Sequence, residues 1–419
     1  MLRRQFLRSS LLGTSSFAID LPSLFKAKNN NSSHTSKLKI KKIRYYAAPG
    51  YTKPLFNQAR GIVEIETDGG IIGIGEGGYN DVIDQCAKMI IGMDPFRIEH
   101  IWQLLYRGMF YPPGREKIHA VGAIEMALWD IKGKALNMPV YELLGGATRD
   151  YVECYATGYS PSKGANEYER AKDCIAAGFR TYRTGPTGGN GDQPFDFYEH
   201  TQKTIEHCQK LDAAVGGGGN WAIDLHTRFD TTEAIKICKA IEALQPYFVE
   251  DIIRSENKGV YKTIRQMTNV PIAVGEQFSD KWDTNELIEN RLIDYCRVTT
   301  PNSGGLLELK KIAAMCETHY VGMIPHFTGP LSTAALVHVL GSSSPTRCMI
   351  EIAGGVIEQP AYFNQDYILF KNGKLLLNPK PGLGVVFNPS KADFMFEVTA
   401  NTKYPHPILF AKDGSVHNW

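Results

Sequence analysis

The chain of 419 residues contains no CxxC pair and no short-range cluster among its eight cysteines. That disfavours both a disulfide-stapled miniprotein and a cysteine-rich zinc site. No apolar run approaches the ~18 residues that a membrane-spanning helix needs. Charge of one sign is also missing, since 46 Lys plus Arg face 44 Asp plus Glu and leave a formal +2. A dedicated nucleic-acid binder would carry a basic excess, so that class is excluded as a first reading. The glycine runs at 216–219 and 188–189 lack the Lys-Ser/Thr context of a phosphate-binding loop. What is present is the 43% hydrophobic and 21% charged content of a large folded protein, and enzymes are common in that class.

Residues 1–36 read as an export signal and linker. Arg3-Arg4 precede Phe6-Leu7, a weakly apolar stretch follows to Leu24, and a polar Asn/Ser tract closes the segment. This resembles a twin-arginine signal, which moves proteins already folded and implies a periplasmic or exported location. Such a route would let the cysteines stay reduced in an oxidising compartment.

Residues 37–150 read as an α+β domain. Alternation over 62–67, a turn at Asp68-Gly69-Gly70 and a return over 71–76 predict an antiparallel hairpin. A helical block follows, ending in a small-residue, apolar helix around 121–131. From 151 to 361 the period changes, and short apolar strands alternate with amphipathic helices. Strands are expected at 152–156, 181–183, 221–225, 247–250, 271–274, 293–298, 321–324 and 348–352. Eight strands in strict alternation with helices predict a closed parallel barrel. An open doubly wound sheet competes, but no GxGxxG follows the first strand. The segment 362–419 is expected to pack back on the first domain.

Three acids lie at the ends of three successive strands: Asp224, Glu250 and Glu276, each 26 residues after the last (250 − 224 = 276 − 250 = 26). One strand, one helix and two loops make such an interval, so all three reach the same height at the barrel mouth. Three carboxylates cannot share a small space unpaired, because mutual repulsion raises at least one pKa. A hard divalent cation resolves the repulsion, and an all-oxygen set selects one Mg²⁺ over zinc or copper.

Asp224-Leu225-His226, Val249-Glu250-Asp251, Val274-Gly275-Glu276-Gln277, Ser303-Gly304-Gly305-Leu306 and Ile324-Pro325-His326, in that order, resemble the enolase superfamily, mandelate racemase subgroup. The 123–129 stretch and Tyr141-Glu142-Leu143-Leu144-Gly145-Gly146 resemble the end of its capping domain. Asp-x-His on the third strand is most similar to sugar-acid dehydratases of the galactonate dehydratase kind. The resemblance implies a modified (β/α)8 barrel, an N-terminal α+β cap completed by the C-terminal segment, and proton abstraction next to a carboxylate.

In that frame His326 matches the base. His226, expected on the same face as Asp224 by strand alternation, matches the acid that protonates the departing hydroxyl. Glu351 matches a residue that hydrogen-bonds the substrate carboxylate, a task that a protonated side chain would perform. Arg183 stands where many relatives carry a lysine base and is expected to hold substrate or ligand oxygens. Thr299 stands where an aspartate usually orients the base, and its hydroxyl is expected to accept the imidazole N–H. His319 and His338 read as structural. Specificity is expected from loops at 51–56 and 110–116. The expected protein is a Mg²⁺-dependent sugar-acid dehydratase, a homo-oligomer without nucleic acid or membrane span. The alternatives are a cycloisomerase or epimerase working through the same enediolate, or a noncatalytic sugar-acid binder.

Overall fold

A computed structural model describes residues 37–51, 60–108, 110–163, 166–188, 191, 194–402 and 407–418. The twin-arginine segment and positions 52–56 of the first specificity loop lie outside the described residues. Strands β1 (Ile40–Ala47), β2 (Gly61–Thr67) and β3 (Ile72–Glu76) form the antiparallel meander expected from their alternation. Gly70 turns the β2–β3 hairpin at φ +77°, a conformation in which glycine bears no Cβ penalty. The long helix Arg115–Leu136 lies across this sheet, buried along most of its length. Gly73 and Gly75 make that contact possible, because a Cβ at either position would strike the carbonyl oxygen of Ala127 or Ala123.

Eight parallel strands follow: β4 (Tyr151–Thr157), β5 (Tyr182–Thr184), β6 (Trp221–Asp224), β7 (Val249–Glu250), β8 (Ile272–Val274), β9 (Tyr295–Cys296), β10 (Gly322–Met323) and β11 (Met349–Ala353). Each pairs with the next from β4 to β10, β11 pairs with β4, and a Met323–Cys348 bridge joins the remaining seam. The ring is therefore closed, and the open-sheet alternative is excluded. Helices cross over between successive strands; after β11 the hairpin β12 (Leu369–Lys371) and β13 (Lys374–Leu376) follows instead, and β13 pairs antiparallel with the start of β4. Hydrogen-bonded pairing is shorter than the expected strands, since only Tyr295–Cys296 of 293–298 is laddered.

The C-terminal segment does not pack wholly on the cap, as was expected, but divides. The β12–β13 hairpin joins the barrel, while β14 (Asp393–Val398) pairs with β1 and completes the cap sheet. Cap and barrel are pinned by buried carboxylates that cap barrel helices. Glu125 accepts from the backbone N–H of Leu306 (2.7 Å) and Leu307 (2.9 Å), and Glu76 accepts from that of Ser332 (2.8 Å). Both acids thus satisfy orphan donors at the N-termini of the helices Leu306–Thr318 and Pro330–Gly341. Burial still dominates their ionisation and pushes Glu125 up to about 8 and Glu76 up to about 7. All eight cysteines are buried free thiols. His338 accepts from the Tyr141 N–H at 3.2 Å, and His319 bonds the Met315 carbonyl at 2.9 Å, so both are structural as expected. Among the described residues no helix is long and apolar enough to cross a membrane.

Candidate active site

Asp224 and Glu250 are the last residues of β6 and β7 and lie directly opposite each other in the ladder. Glu276 follows β8 by two residues, beyond Gly275 at φ +152°, where a Cβ would collide with the Arg297–Val298 backbone. One oxygen from each of the three carboxylates falls within 4.8 Å of the others. The chain leaves the first two acids through unusual backbone: His226 (φ +50°), Thr227 (+56°) and Asp251 (+39°) are all left-handed. Non-glycine residues in that region cluster at functional sites because the surroundings must over-determine them.

The turn after Asp224 alters how His226 reaches the site. Asp224 Oδ1 accepts the His226 N–H at 2.6 Å, which closes a tight turn and ends strand alternation at that point. His226 therefore does not share a strand face with Asp224, and its side chain is 58% exposed. Its Nε2 nevertheless lies 4.0 Å from Glu276 Oε1. His326, buried after β10, approaches the other oxygen, with Nε2 3.5 Å from Oε2. The two imidazoles thus approach different oxygens of one carboxylate, one imidazole solvated and one enclosed. Burial pushes the His326 imidazole below its ordinary value, against the pull of Glu351 and Glu276.

Two guanidiniums hold the acids apart. Arg183 Nη1 lies 2.6 Å from Asp224 and 2.8 Å from Glu250, while its Nη2 lies 3.0 Å from Glu351. Arg297, wholly buried, lies 2.6 Å from Glu250 through Nε, and through Nη2 2.9 Å from Glu351 and 3.6 Å from Glu276. Arg183 is thus committed to the acids of the site. Tyr155 and Thr157 donate hydrogen bonds to Glu351 as well. Burial favours the neutral Glu351, but Arg183, Arg297 and His326 overcome it and hold the carboxyl well below its ordinary value. The structure therefore corrects the protonated Glu351: this environment stabilises its anion. Glu276 is likewise held down against burial by His326, Arg297 and Arg183. Asp251 goes the other way, pushed well up by burial and by Glu276 and Asp224.

Thr299, two residues beyond Arg297, is buried, and its hydroxyl finds no hydrogen-bond partner among the described residues, so the expected bond to the His326 imidazole is not formed among them. Sequence reasoning missed Arg297. The available signal was a lone cation in the otherwise apolar run Tyr295-Cys296-Arg297-Val298, just past the end of β9. It also missed Arg115, which opens the long cap helix and donates to the carbonyls of Glu276 and of Phe278, the latter at 3.1 Å. A cap residue thereby fixes the loop that carries Glu276.

The donor set fits a hard divalent cation. It is all oxygen, three carboxyl groups drawn from three adjacent strands. Oxygens bound at about 2.1 Å to one octahedral ion lie roughly 3–4 Å apart, so only a small closure of the trio is needed.

The comparisons with known proteins agree with this arrangement. The family described as enolase C-terminal domain-like matches residues 167–391, and the mandelate racemase / muconate lactonizing enzyme N-terminal domain matches residues 54–145. The chain is 33% identical over 394 residues to a D-mannonate dehydratase of Novosphingobium aromaticivorans, covering 85% of this chain and 95% of that one. It is 32% identical over 402 residues to a D-galactonate dehydratase of Xanthomonas axonopodis pv. citri, covering 90% and 98%. Among solved structures it is similar to the 3,6-anhydro-D-galactonate cycloisomerase of Zobellia galactanivorans, with TM-score 0.71, 29% identity, and 84% and 98% covered. A member of the enolase superfamily from Salmonella Typhimurium superposes with TM-score 0.77 at 25% identity, over 86% of this chain and all of that one. With a capped, closed barrel, three strand-end carboxylates and both family domains matched, the chain belongs to the enolase superfamily, in its mandelate racemase / muconate lactonizing enzyme branch.

Proposed function

We propose that the protein is a Mg²⁺-dependent dehydratase of a sugar acid. Asp224, Glu250 and Glu276 would hold the ion. When bound, Mg²⁺ supplies a Lewis acid for the substrate carboxylate, which makes the neighbouring C–H more acidic. His326 accepts that proton. Its enclosure favours the neutral imidazole, the form a base needs. Arg183 and Arg297 offer fixed positive charge toward the anion that develops as the proton leaves. His226, on the solvent side, donates a proton to the β-hydroxyl as its C–O bond breaks. Water departs, and the remaining enol tautomerises to a 2-keto-3-deoxy acid.

The observation that carries this reading is the placement of two imidazoles at different oxygens of Glu276, within the carboxylate trio. One of them is shielded and one exposed, as a base and an acid acting on different substrate atoms require. The test is incubation with a sugar-acid panel and Mg²⁺, following 2-keto-3-deoxy product. Substrate binding without product in that assay, and without solvent deuterium exchange, would reject dehydration in favour of a binder. The similarity to the anhydrogalactonate cycloisomerase favours a second reading, in which the leaving oxygen belongs to the substrate's own ring. Mass spectrometry separates the two, because ring opening conserves mass and dehydration loses one water.

A further inference from the structure

The three acids of the trio are not held alike. Asp224 and Glu250 belong to laddered strands, where the Leu225 N–H donates to the Glu250 carbonyl at 2.9 Å and the Asp251 N–H to that of Ala273 at 3.1 Å. Glu276 lies past the end of β8, whose last ladder bond runs from the Arg297 N–H to the Val274 carbonyl at 2.9 Å. Among the described residues the Glu276 carbonyl accepts from two side chains instead. Asn302 Nδ2, on the short helix Thr300–Ser303 after β9, donates at 3.2 Å, and Arg115 Nη2 donates from the cap. The same Arg115 nitrogen donates to the Phe278 carbonyl at 3.1 Å, so it spans the turn that the Phe278 N–H closes on Gly275.

Arg115 can serve as a fixed point because its helix is seated on the barrel. Gly122 lies against the Pro301 backbone, and Glu125 caps the helix Leu306–Thr318. Seven residues make nearly two helical turns, so Arg115 and Gly122 leave the helix on the same side, toward the barrel. The seating of the cap is thereby carried into the main chain of Glu276, and the reach of that carboxylate toward an ion is set by where its main chain lies.

We propose that Arg115 is a positioning residue of the metal centre: by fixing the Glu276 main chain from the cap, it places the third carboxylate for a small, geometrically demanding ion. This rests on the Mg²⁺ reading above. Mg²⁺ requires near-octahedral oxygens at about 2.0–2.1 Å, whereas Ca²⁺ accepts longer and less regular sets at roughly 2.3–2.6 Å. A misplaced third ligand therefore penalises Mg²⁺ more than Ca²⁺. Charge alone predicts something else. Arg115 lies within the field of Glu276, Asp283 and Asp251, which pull against the burial that pushes its guanidinium below the ordinary value. Removing that positive charge, with nothing else changed, would tighten the binding of both ions.

The experiment is titration calorimetry of the full chain with Mg²⁺ and with Ca²⁺, for the unmodified protein, Arg115→Met, Arg115→Lys and Tyr106→Phe. Circular dichroism in EDTA checks that each is folded. Tyr106 is the control, a cap residue that donates to Asp280 of the barrel at 3.1 Å without touching Glu276. Arg115→Met is expected to weaken Mg²⁺ binding by about tenfold or more, the usual scale for losing a group that orients a ligand, and Ca²⁺ binding by a clearly smaller factor. Arg115→Lys keeps the charge on a shorter side chain without the planar fork, and is expected to shift the Mg²⁺/Ca²⁺ ratio the same way by less. Tyr106→Phe is expected to leave the ratio unchanged. Equal losses for the two ions, tighter binding of both, or no change in Arg115→Met overturns the proposal, as does a comparable shift in Tyr106→Phe. If Arg115→Met does not fold, Arg115→Lys decides by the same criteria. An unmodified protein that binds neither ion defeats the Mg²⁺ reading itself, and this proposal with it; an unmodified protein that binds Mg²⁺ beside an indifferent Arg115 variant defeats the proposal alone.

Discussion

Arg297→Met is the perturbation whose consequence can be worked furthest. The guanidinium is wholly buried and lies within 3.6 Å of Glu250, Glu276 and Glu351. Methionine fills comparable length without charge, so the change leaves packing nearly intact and removes the compensation. Breaking a buried ion pair from one side typically costs about 3–5 kcal/mol. The protein has an escape, since one carboxyl can take up a proton in place of the lost cation. From the ordinary glutamate value of 4.5, protonation at pH 7 costs about 3.4 kcal/mol, and at pH 5 only about 0.7 kcal/mol. The smaller of the two routes is followed, so the deficit should be about 3 kcal/mol at pH 7. Glu351 sits well below its ordinary value in the fold, so its ionisation stabilises the native state above pH about 4.5 and that stabilisation fades as pH falls through the depressed value. Between pH 8 and 5 that contribution is constant, so the gap to the unmodified protein should narrow on acidification through the falling cost of protonating a carboxyl in the variant. Urea unfolding at pH 5, 6, 7 and 8 in EDTA, followed by circular dichroism, measures it. A deficit below about 1 kcal/mol at pH 7, or one that does not change with pH, would refute the argument.

Four further outcomes are expected. Glu250→Gln should weaken Mg²⁺ binding strongly, and unchanged affinity in titration calorimetry would remove Glu250 from the ligand set. His326→Asn should abolish both solvent deuterium exchange and water loss, whereas His226→Asn should suppress water loss far more than exchange, within the roughly 10²–10⁴-fold span of acid–base assistance; exchange preserved in the His326 variant would move the base elsewhere. Glu125, pushed up to about 8 by burial, binds a proton in the fold that the unfolded chain releases near pH 4.5. Stability should therefore fall as pH rises from 5 toward 8, and Glu125→Gln should flatten that slope in urea titrations. Export by the twin-arginine route is proposed on the sequence alone: replacing Arg3 and Arg4 with Lys should hold the protein in the cytoplasm, and full-length unmodified protein found there by fractionation would defeat the proposal.

The parts of the site that the chain makes legible are those set by the barrel's repeat. Asp224, Glu250 and Glu276 declare themselves because a fixed strand–helix interval puts equivalent positions at equivalent heights. Arg297 comes one residue after β9 and only 21 residues after Glu276 (297 − 276 = 21), so it breaks that interval, and a single cation has no repeat to announce it. The shared strand face expected for Asp224 and His226 fails because the Asp224 turn ends the alternation, and whether Asp224 bonds the next-but-one N–H depends on where the ladder stops. Glu76 and Glu125 were illegible as helix caps because their partners lie 256 and 181 residues away. The division of the C-terminal segment is not legible in its sequence, because pairing with β4 or with β1 is decided by which sheet edge each strand reaches.

The eight buried thiols give this molecule its own set of opening reporters. Cys86 lies on a cap helix, Cys154 and Cys296 on barrel strands, Cys174, Cys208, Cys238 and Cys316 on crossover helices, and Cys348 at the seam that closes the ring. A thiol reagent can modify none of them without a local or global opening, so the rate at each position reads the free energy of the motion that exposes it. If the barrel opens only as a whole, its seven thiols will react together. If the Met323–Cys348 seam parts first, Cys348 will react ahead of the others, and Cys86 will time any separate loosening of the cap. Native-state labelling resolved by peptide mass would thus chart how the enclosure around the active site comes apart, without a single engineered residue.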